Sequence, residues 1–197
     1  EYILNDNYYH LGFILMCQAQ KIQAVFNNWE YCTLAADASY HRAEYKDASQ
    51  TFCRTVDLLE PWLERDHNQL WKVMRLFVLS CHNAAHALSK QGRHKDAEYY
   101  YSHAHFRLLS FVSHHKNSYS IMEHVLLELR ATFSMLTQYL MGKNKQELAA
   151  NIREESLRVI RQSYFTYVDD LFTQDYLGEE PKVETRGITG FWNKASA

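Results

Sequence analysis

His82 and His86 stand four residues apart in a stretch with helical periodicity. That spacing sets two imidazoles about 6 Å apart on one side of a helix, as helical metal ligands are set. Cys81 is next in sequence but lies about 100° round the helix, on its apolar stripe. A complete metal site needs a third donor, for which His103 and His105 are the candidates. No H-E-x-x-H glutamate follows His82, so a zinc hydrolase would lack its base. Imidazoles have a second use, donating to or accepting from a polypeptide backbone laid across them. No G-x-S-x-G, Walker loop, G-x-G-x-x-G or C-x-x-C occurs. Glu154-Glu155 and Glu179-Glu180 read as solvated charge pairs rather than acid–base dyads. No catalytic constellation and no cofactor are expected. The 11 His read mainly as exposed polar positions, able to make binding pH-sensitive.

Other classes fall away on charge and hydropathy. A net charge of -2, with Lys and Arg interspersed among Asp and Glu, excludes a dedicated nucleic-acid binder. The apolar run 11–16 (LGFILM) falls far short of the roughly 18 residues of a membrane span, so no membrane partner is expected. Cys17, Cys32, Cys53 and Cys81 sit inside helical patterns and read as buried free thiols in a reducing, cytoplasmic setting. Glu rather than Met at position 1 makes a fragment or processed product the expectation, with a removed signal peptide left open.

The elements that position these residues are helices. A chain of 197 residues suffices for one domain, and 2 Pro and 6 Gly favour long helices over many strands. About seven helices are expected, in an all-α fold. The first, capped by Asn5 or Asp6, carries Tyr8, Leu11, Leu15, Ile22 and Val25 to a break at Asn27-Asn28. The second runs from Trp29 to Ala43 with Cys32, Ala35, Ala36 and Tyr40 inward. The third carries Ala48, Phe52, Thr55, Val56 and Leu59 and stops before Pro61, because the residue preceding proline is pushed out of helical geometry. The fourth, over 67–90, opens on a capping box at Asp66 and carries Leu70, Met74, Phe77, Cys81, Ala84 and Leu88. Gly92 ends it with a positive φ. Ala97, Tyr101, Ala104, Leu108 and Phe111 mark the fifth. The sixth opens on Ser120 and Glu123, carries Met122, Leu126, Leu129, Phe133, Leu136 and Leu140, and stops at Gly142. The seventh, capped by Asn144 and Glu147, reaches about Phe172. Residues 1–174 thus form one domain and 175–197 a non-helical tail. Its Phe191-Trp192 pair offers an anchor on the body or on a neighbouring copy, so a homo-oligomer through the tail stays open.

A repeat links these helices. Lys-Asp-Ala at 46–48 recurs at 95–97, 97 − 48 = 49 residues on, and the turn at Gly142 lies 142 − 92 = 50 residues beyond Gly92. A helix–turn–helix recurring in this way is the mark of an α-solenoid. Residues 83–104 resemble a tetratricopeptide repeat, through Ala84, Ala85, Gly92, Ala97, Tyr101 and Ala104. Residues 32–61 keep Ala48, Phe52 and Pro61 but have Ala43 for the turn Gly and Thr55 for the last Ala. Residues 118–163 keep Gly142, lack the small-residue pattern, and have Ala149 later than it requires. The period is longer than that family's by 49 − 34 = 15 residues, roughly two helical turns in each helix of the pair.

The resemblance implies a right-handed solenoid of stacked antiparallel hairpins. It implies an interaction or adaptor module that holds a peptide segment of a partner protein in a concave groove. Carried over residue by residue, the groove is lined by Glu30, Thr33, Asp37, Tyr40 and His41, and by Leu79, His82, Asn83, His86 and Ser89. Members that clamp a chaperone's terminal carboxylate place Lys and Asn where His82 and His86 stand, which argues against that partner. Two alternatives remain: a peptide-sensing regulatory domain that changes conformation on binding, and a His/Cys metal-binding protein or unrecognised enzyme.

Overall fold

The computed structural model describes the backbone over residues 3–65, 68–113 and 119–175, and side chains over 19–65, 68–113 and 121–163. Six helices fill it: α1 (Ile3–His41), α2 (Tyr45–Leu59), α3 (Leu70–Lys90), α4 (His94–Val112), α5 (Tyr119–Met141) and α6 (Gln146–Asp175). A short 3-10 turn over Glu60–Trp62 carries Pro61, and α2 stops at Leu59 ahead of it, but Glu60 before the proline keeps helical dihedrals (φ −54°, ψ −44°), so the chain tightens into the 3-10 turn instead of leaving helical geometry as expected. Among the described residues there is no strand.

The expected seven helices become six because α1 passes unbroken through Asn27-Asn28. Asparagine breaks a helix when its side chain competes for the backbone. Here Asn27 accepts from Gln23 Nε2 at 2.9 Å and Asn28 accepts from the Cys32 thiol at 3.4 Å, both one turn away along the helix. Phe26 and Trp29, on either side of the pair, pack in the core and hold the helix straight through it. The fourth expected helix begins at Leu70 rather than 67; Asp66, its expected cap, lies outside the described residues. The last runs to Asp175, and the tail with Phe191 and Trp192 lies outside them too.

Each helix packs on the next, and α3 on α5 and α4 on α6. The main core joins Phe26, Val56, Leu59, Leu63, Met74, Phe77, Leu108 and Leu129. Phe77, Leu59, Leu63 and Met74 are among its fully enclosed side chains, each worth about 1.5–3 kcal/mol of burial. Small residues share the interior with them: Ala84, Ala85, Ala97 and Ala104 are all 0% exposed.

Three turns share one geometry. Ala43 (φ 61°), Gly92 (φ 75°) and Asn144 (φ 58°) are left-handed. Each donates its N–H three residues back, to the carbonyls of Tyr40, Ser89 and Met141, at 2.9–3.1 Å. The following residue, Glu44, Arg93 or Lys145, donates five residues back, to Ser39, Leu88 or Leu140, at 2.9–3.0 Å. This is the Schellman ending, which satisfies carbonyls that a helix terminus leaves open. The left-handed residue of the third turn is therefore Asn144. Gly142 does not hold that place, and Asn144 is a turn residue rather than the expected cap of α6. Counted from the left-handed residue, Ala48, Ala97 and Ala149 all fall five positions on, and Thr55, Ala104 and Ser156 all fall twelve on. All six are buried. Ala149 is in register after all; anchoring on Gly142 displaced it.

Candidate binding surface

The expected groove residues divide by what they touch. Tyr40 near the end of α1 meets His86 on α3: the rings stack with centroids 5.4 Å apart and 27° between planes, and the Tyr40 hydroxyl lies 3.2 Å from His86 Nδ1. Tyr40 also meets Tyr45 edge-on at 5.2 Å. Burial, then the neighbouring Tyr45, raises its hydroxyl pKa, so it stays a neutral hydrogen-bonding group. His82, one turn before His86, packs on Tyr101 of α4 at 5.7 Å, and Tyr101 packs on Tyr139 of α5 at 4.9 Å. Ser89 hydrogen-bonds Tyr139, whose hydroxyl donates to the His94 carbonyl at 2.9 Å. Four of the ten expected residues, Tyr40, His82, His86 and Ser89, thus join a run of aromatic and polar contacts across α1, α3, α4 and α5. Tyr45, Tyr101 and Tyr139 complete it, and sequence reasoning missed all three as site residues. The surplus of Tyr was their signal, but residues about fifty positions apart carry no mark of being neighbours.

Of the other six, His41 borders that run, meeting the Tyr40 ring edge-on at 6.2 Å. Glu30 and His41 are exposed, while Thr33, Asp37 and Asn83 are half-buried. Leu79 is 43% exposed. It stands one turn from Arg75, which reaches Glu128 on α5 at 3.9 Å, and two turns from Trp71, which stacks on His124 of α5 at 5.4 Å. Leu34 on α1 and Leu127 and Met135 on α5 are likewise open to solvent. The first helices of the three hairpins therefore each show water at least one large aliphatic side chain.

A concavity lies between α2 and α4. It measures about 490 Å³ and is lined by Cys53, Arg54, Asp57, Arg93, Asp96 and Tyr100, among others. Next to it a hollow of about 540 Å³ is walled by Glu60, Glu64, His103 and Arg107. Two contacts cross it: His103 Nε2 lies 3.0 Å from a Glu60 carboxylate oxygen, and Arg107 pairs with Glu64 at 2.8 Å. Burial pushes the Cys53 thiol pKa up, so the side chain lacks the thiolate character a nucleophile needs.

The metal alternative loses its geometry. His82 and His86 turn to different helices, His103 pairs with Glu60, and His105 is sealed in the core against Thr132 and Ser156. Burial holds His82 and His105 down at about 4, which keeps both rings neutral. His82 Nε2 is buried with no hydrogen-bond partner. Among the described residues no three His, Cys, Asp or Glu converge as a metal site.

The class defined by these features is an all-α protein of packed helical hairpins with identical turns and an aromatic, His-bearing seam. The particular family follows from comparison: residues 27–162 match the model described as Protein of unknown function (DUF2753), more than half of the chain, and the chain belongs to that family. The match covers all three turns and leaves out residues 3–26 of α1 and 163–175 of α6. Neither a curated protein nor a solved structure matches it.

Proposed function

We propose that this chain is a tetratricopeptide-like recognition module. In this reading the hairpins stack as a right-handed solenoid, and the outer sides of α1, α3 and α5 hold a peptide segment of a partner protein. One observation carries the reading: the three left-handed turns at Ala43, Gly92 and Asn144 with their in-register small residues. Repeats in register turn equivalent sides of their first helices the same way, so they make one continuous surface. Leu34, Leu79, Leu127 and Met135 supply its apolar contacts, and Tyr40, Asn83 and His86 its hydrogen-bonding groups. A preformed surface lowers the ordering cost of binding. No helix among the described residues is long and apolar enough to cross a membrane, and Cys32, Cys53 and Cys81 are free thiols, which supports a cytoplasmic site of action.

The test is site-specific photo-crosslinking in cells, with a photoreactive residue at Leu79 and, as control, at Tyr99 on α4, which is also exposed. The reading expects one peptide segment crosslinked at 79 and not at 99. It further expects Leu79→Asp to abolish that crosslink from a second photoreactive position at Leu127, with far-UV circular dichroism unchanged. Equal crosslinking at 79 and 99, or none at 79, overturns it.

A further inference from the structure

Counted back from the left-handed residue of each turn, the first helices of the three hairpins fall into register, since 43 − 31, 92 − 80 and 144 − 132 are all 12. In that register one face of α3, made by Val73, Phe77, Ser80, Ala84 and Ala87, is buried throughout. It receives α2: Val73 and Phe77 share a core with Val56 and Leu59, and Ala84 and Ala87 share one with Ala48 and Phe52. The same face of α5 holds Val125, Leu129, Thr132, Leu136 and Tyr139. It receives α4, with Thr132 against His105 and both Leu136 and Tyr139 against Tyr101. On α1 these five positions are Ala24, Asn28, Tyr31, Ala35 and Ala38, and all five are exposed, Tyr31 to 75%. A face that takes a helix is thus built three times and covered twice.

The open face is not made for water. A helix side turned to solvent ordinarily carries charged residues. Between positions 22 and 40, Glu30 is the one charged residue among the exposed positions of α1, and it stands about 100° round the helix from Tyr31. The last helix shows the contrast, for α6 exposes Glu147, Arg153, Glu154, Glu155, Arg158 and Arg161. We propose that a second copy of this chain covers the α1 face. The two α1 helices pair antiparallel about a two-fold axis, position i opposite position 69 − i of the other copy.

Three features choose this occupant and orientation. Head-to-tail stacking would lay α6 of one copy on α1 of the next, and it fails on residue type. Nine positions after the turn, where α2 and α4 offer Phe52 and Tyr101, α6 has the exposed Arg153, which would sit on Ala35 and Ala38. A closed, isologous pair does not meet that arginine. The α1 face also complements itself. The register sets Tyr31 against Ala38 of the other copy, twice by symmetry, and brings Ala35 within one position of its counterpart. An aromatic ring then lies on small residues, as Phe52 does with Ala84 and Ala87. Charge sets the direction. In the antiparallel pair Glu30 comes within two positions of His41 of the other copy, a carboxylate beside an imidazole that can donate to it. A parallel pair would set Glu30 against Glu30. Arg42, at the end of the face, is already paired with Glu44 at 2.8 Å. The overlap from 27 to 42 is about 23 Å long, which places the pair among small, transient interfaces.

The test is the mass of the full chain by sedimentation equilibrium from about 5 to 200 µM, the range in which a small interface assembles. The expected result is a rise to twice the 23.3 kDa chain mass and no further. Ala35→Glu/Ala38→Glu should give the monomer throughout, with far-UV circular dichroism unchanged because both positions are exposed. Tyr31→Ala should weaken the pair about tenfold. Glu30→His should weaken it too, and Glu30→His/His41→Glu should restore it to within about twofold. Phe191→Ala/Trp192→Ala should leave the dimer as it is, which separates it from one made by the tail. A monomer at the highest concentration overturns the proposal, whatever else the chain binds. So does a dimer that survives Ala35→Glu/Ala38→Glu, growth beyond two copies, a swap that fails to restore the pair, or loss of the dimer in the tail variant.

Discussion

His105 Nε2 lies 2.8 Å from Ser156 Oγ, which ties the middle of α4 to α6 inside the core. The other ring nitrogen faces Thr132 Oγ1 on α5 at 3.3 Å. Both hydroxyls also sit in position to donate to their own helices, Ser156 to the Ile152 carbonyl at 2.6 Å and Thr132 to the Leu129 carbonyl at 2.9 Å. A neutral imidazole has one N–H, so one hydroxyl must turn its proton to the ring and release its carbonyl. Burial keeps the ring neutral, holding its pKa down at about 4 from an ordinary 6.5. Above 6.5 both folded and unfolded states carry a neutral ring and stability is complete. As pH falls, the unfolded ring protonates first, and stability is lost progressively down to about 4. Between pH 7 and 5 the loss at His105 should be on the order of 2 kcal/mol. Urea unfolding at the two pH values checks this: His105→Gln should remove about half of the combined dependence, the rest staying with His82, whose ring burial also holds at about 4.

The three left-handed turns give a test by substitution. A β-carbon costs roughly 1–2 kcal/mol in this conformation, and glycine bears none of that cost. Ala43 bears it already at φ 61°. Ala43→Gly should therefore stabilise by up to about 1 kcal/mol, after the greater freedom of glycine in the unfolded chain is offset. A β-carbon at Gly92 would meet nothing within 4 Å, so Gly92→Ala carries the conformational cost alone and should lose about 1 kcal/mol. Opposite signs at equivalent places are the expected result of urea titration of the two variants.

Gln91 closes the seam between the first turn and α3. Its Nε2 donates to the Tyr45 carbonyl and to Ser49 Oγ, both at 2.8 Å, and Ser49 is buried. Gln91→Ala should cost about 1–2 kcal/mol through the two acceptors it strands. Gln91→Glu keeps the shape but turns a carboxylate toward two oxygens. It should be at least as harmful as alanine at pH 7, measured by thermal unfolding. An alanine variant much worse than the glutamate variant would show that packing, not hydrogen bonding, is what Gln91 supplies.

The helices were legible where one residue type decides the outcome locally. Pro61 stops α2, Gly92 stops α3, and the stripes through Leu70–Leu88 and Ala97–Leu108 are buried. Reading failed where a side chain's partner lies elsewhere. Asn27-Asn28 looks like a break until Gln23 and Cys32 are seen to occupy it. Asn144 was hidden behind Gly142, since glycine is the commoner left-handed residue but not the one used here. His103 and His105 share a type and a neighbourhood, yet one meets Glu60 at the surface and the other is 0% exposed. Nothing local separates them, because burial is set by helices about fifty residues away.

The small residues twelve positions after each turn give the last prediction. Ala104 is fully buried in the main core, while Thr55 and Ser156 hold the same place in the other two hairpins. The two hydroxyls back-bond to their own helices, Thr55 to the Phe52 carbonyl at 2.7 Å, so each polar atom is satisfied inside a site sized for a small side chain. If space is what the position demands, Thr55→Ala and Ala104→Ser should each stay within about 1.5 kcal/mol of the parent. Ala104→Leu has no such room. Overpacking costs typically 1–3 kcal/mol where neighbours can yield, and here Phe77, Leu108 and Leu129 of the same core are themselves enclosed. A loss of about 3 kcal/mol is therefore expected for Ala104→Leu in urea unfolding, against about 1 kcal/mol for Ala104→Ser. Comparable losses for the two would mean that polarity, rather than volume, governs how closely these hairpins approach.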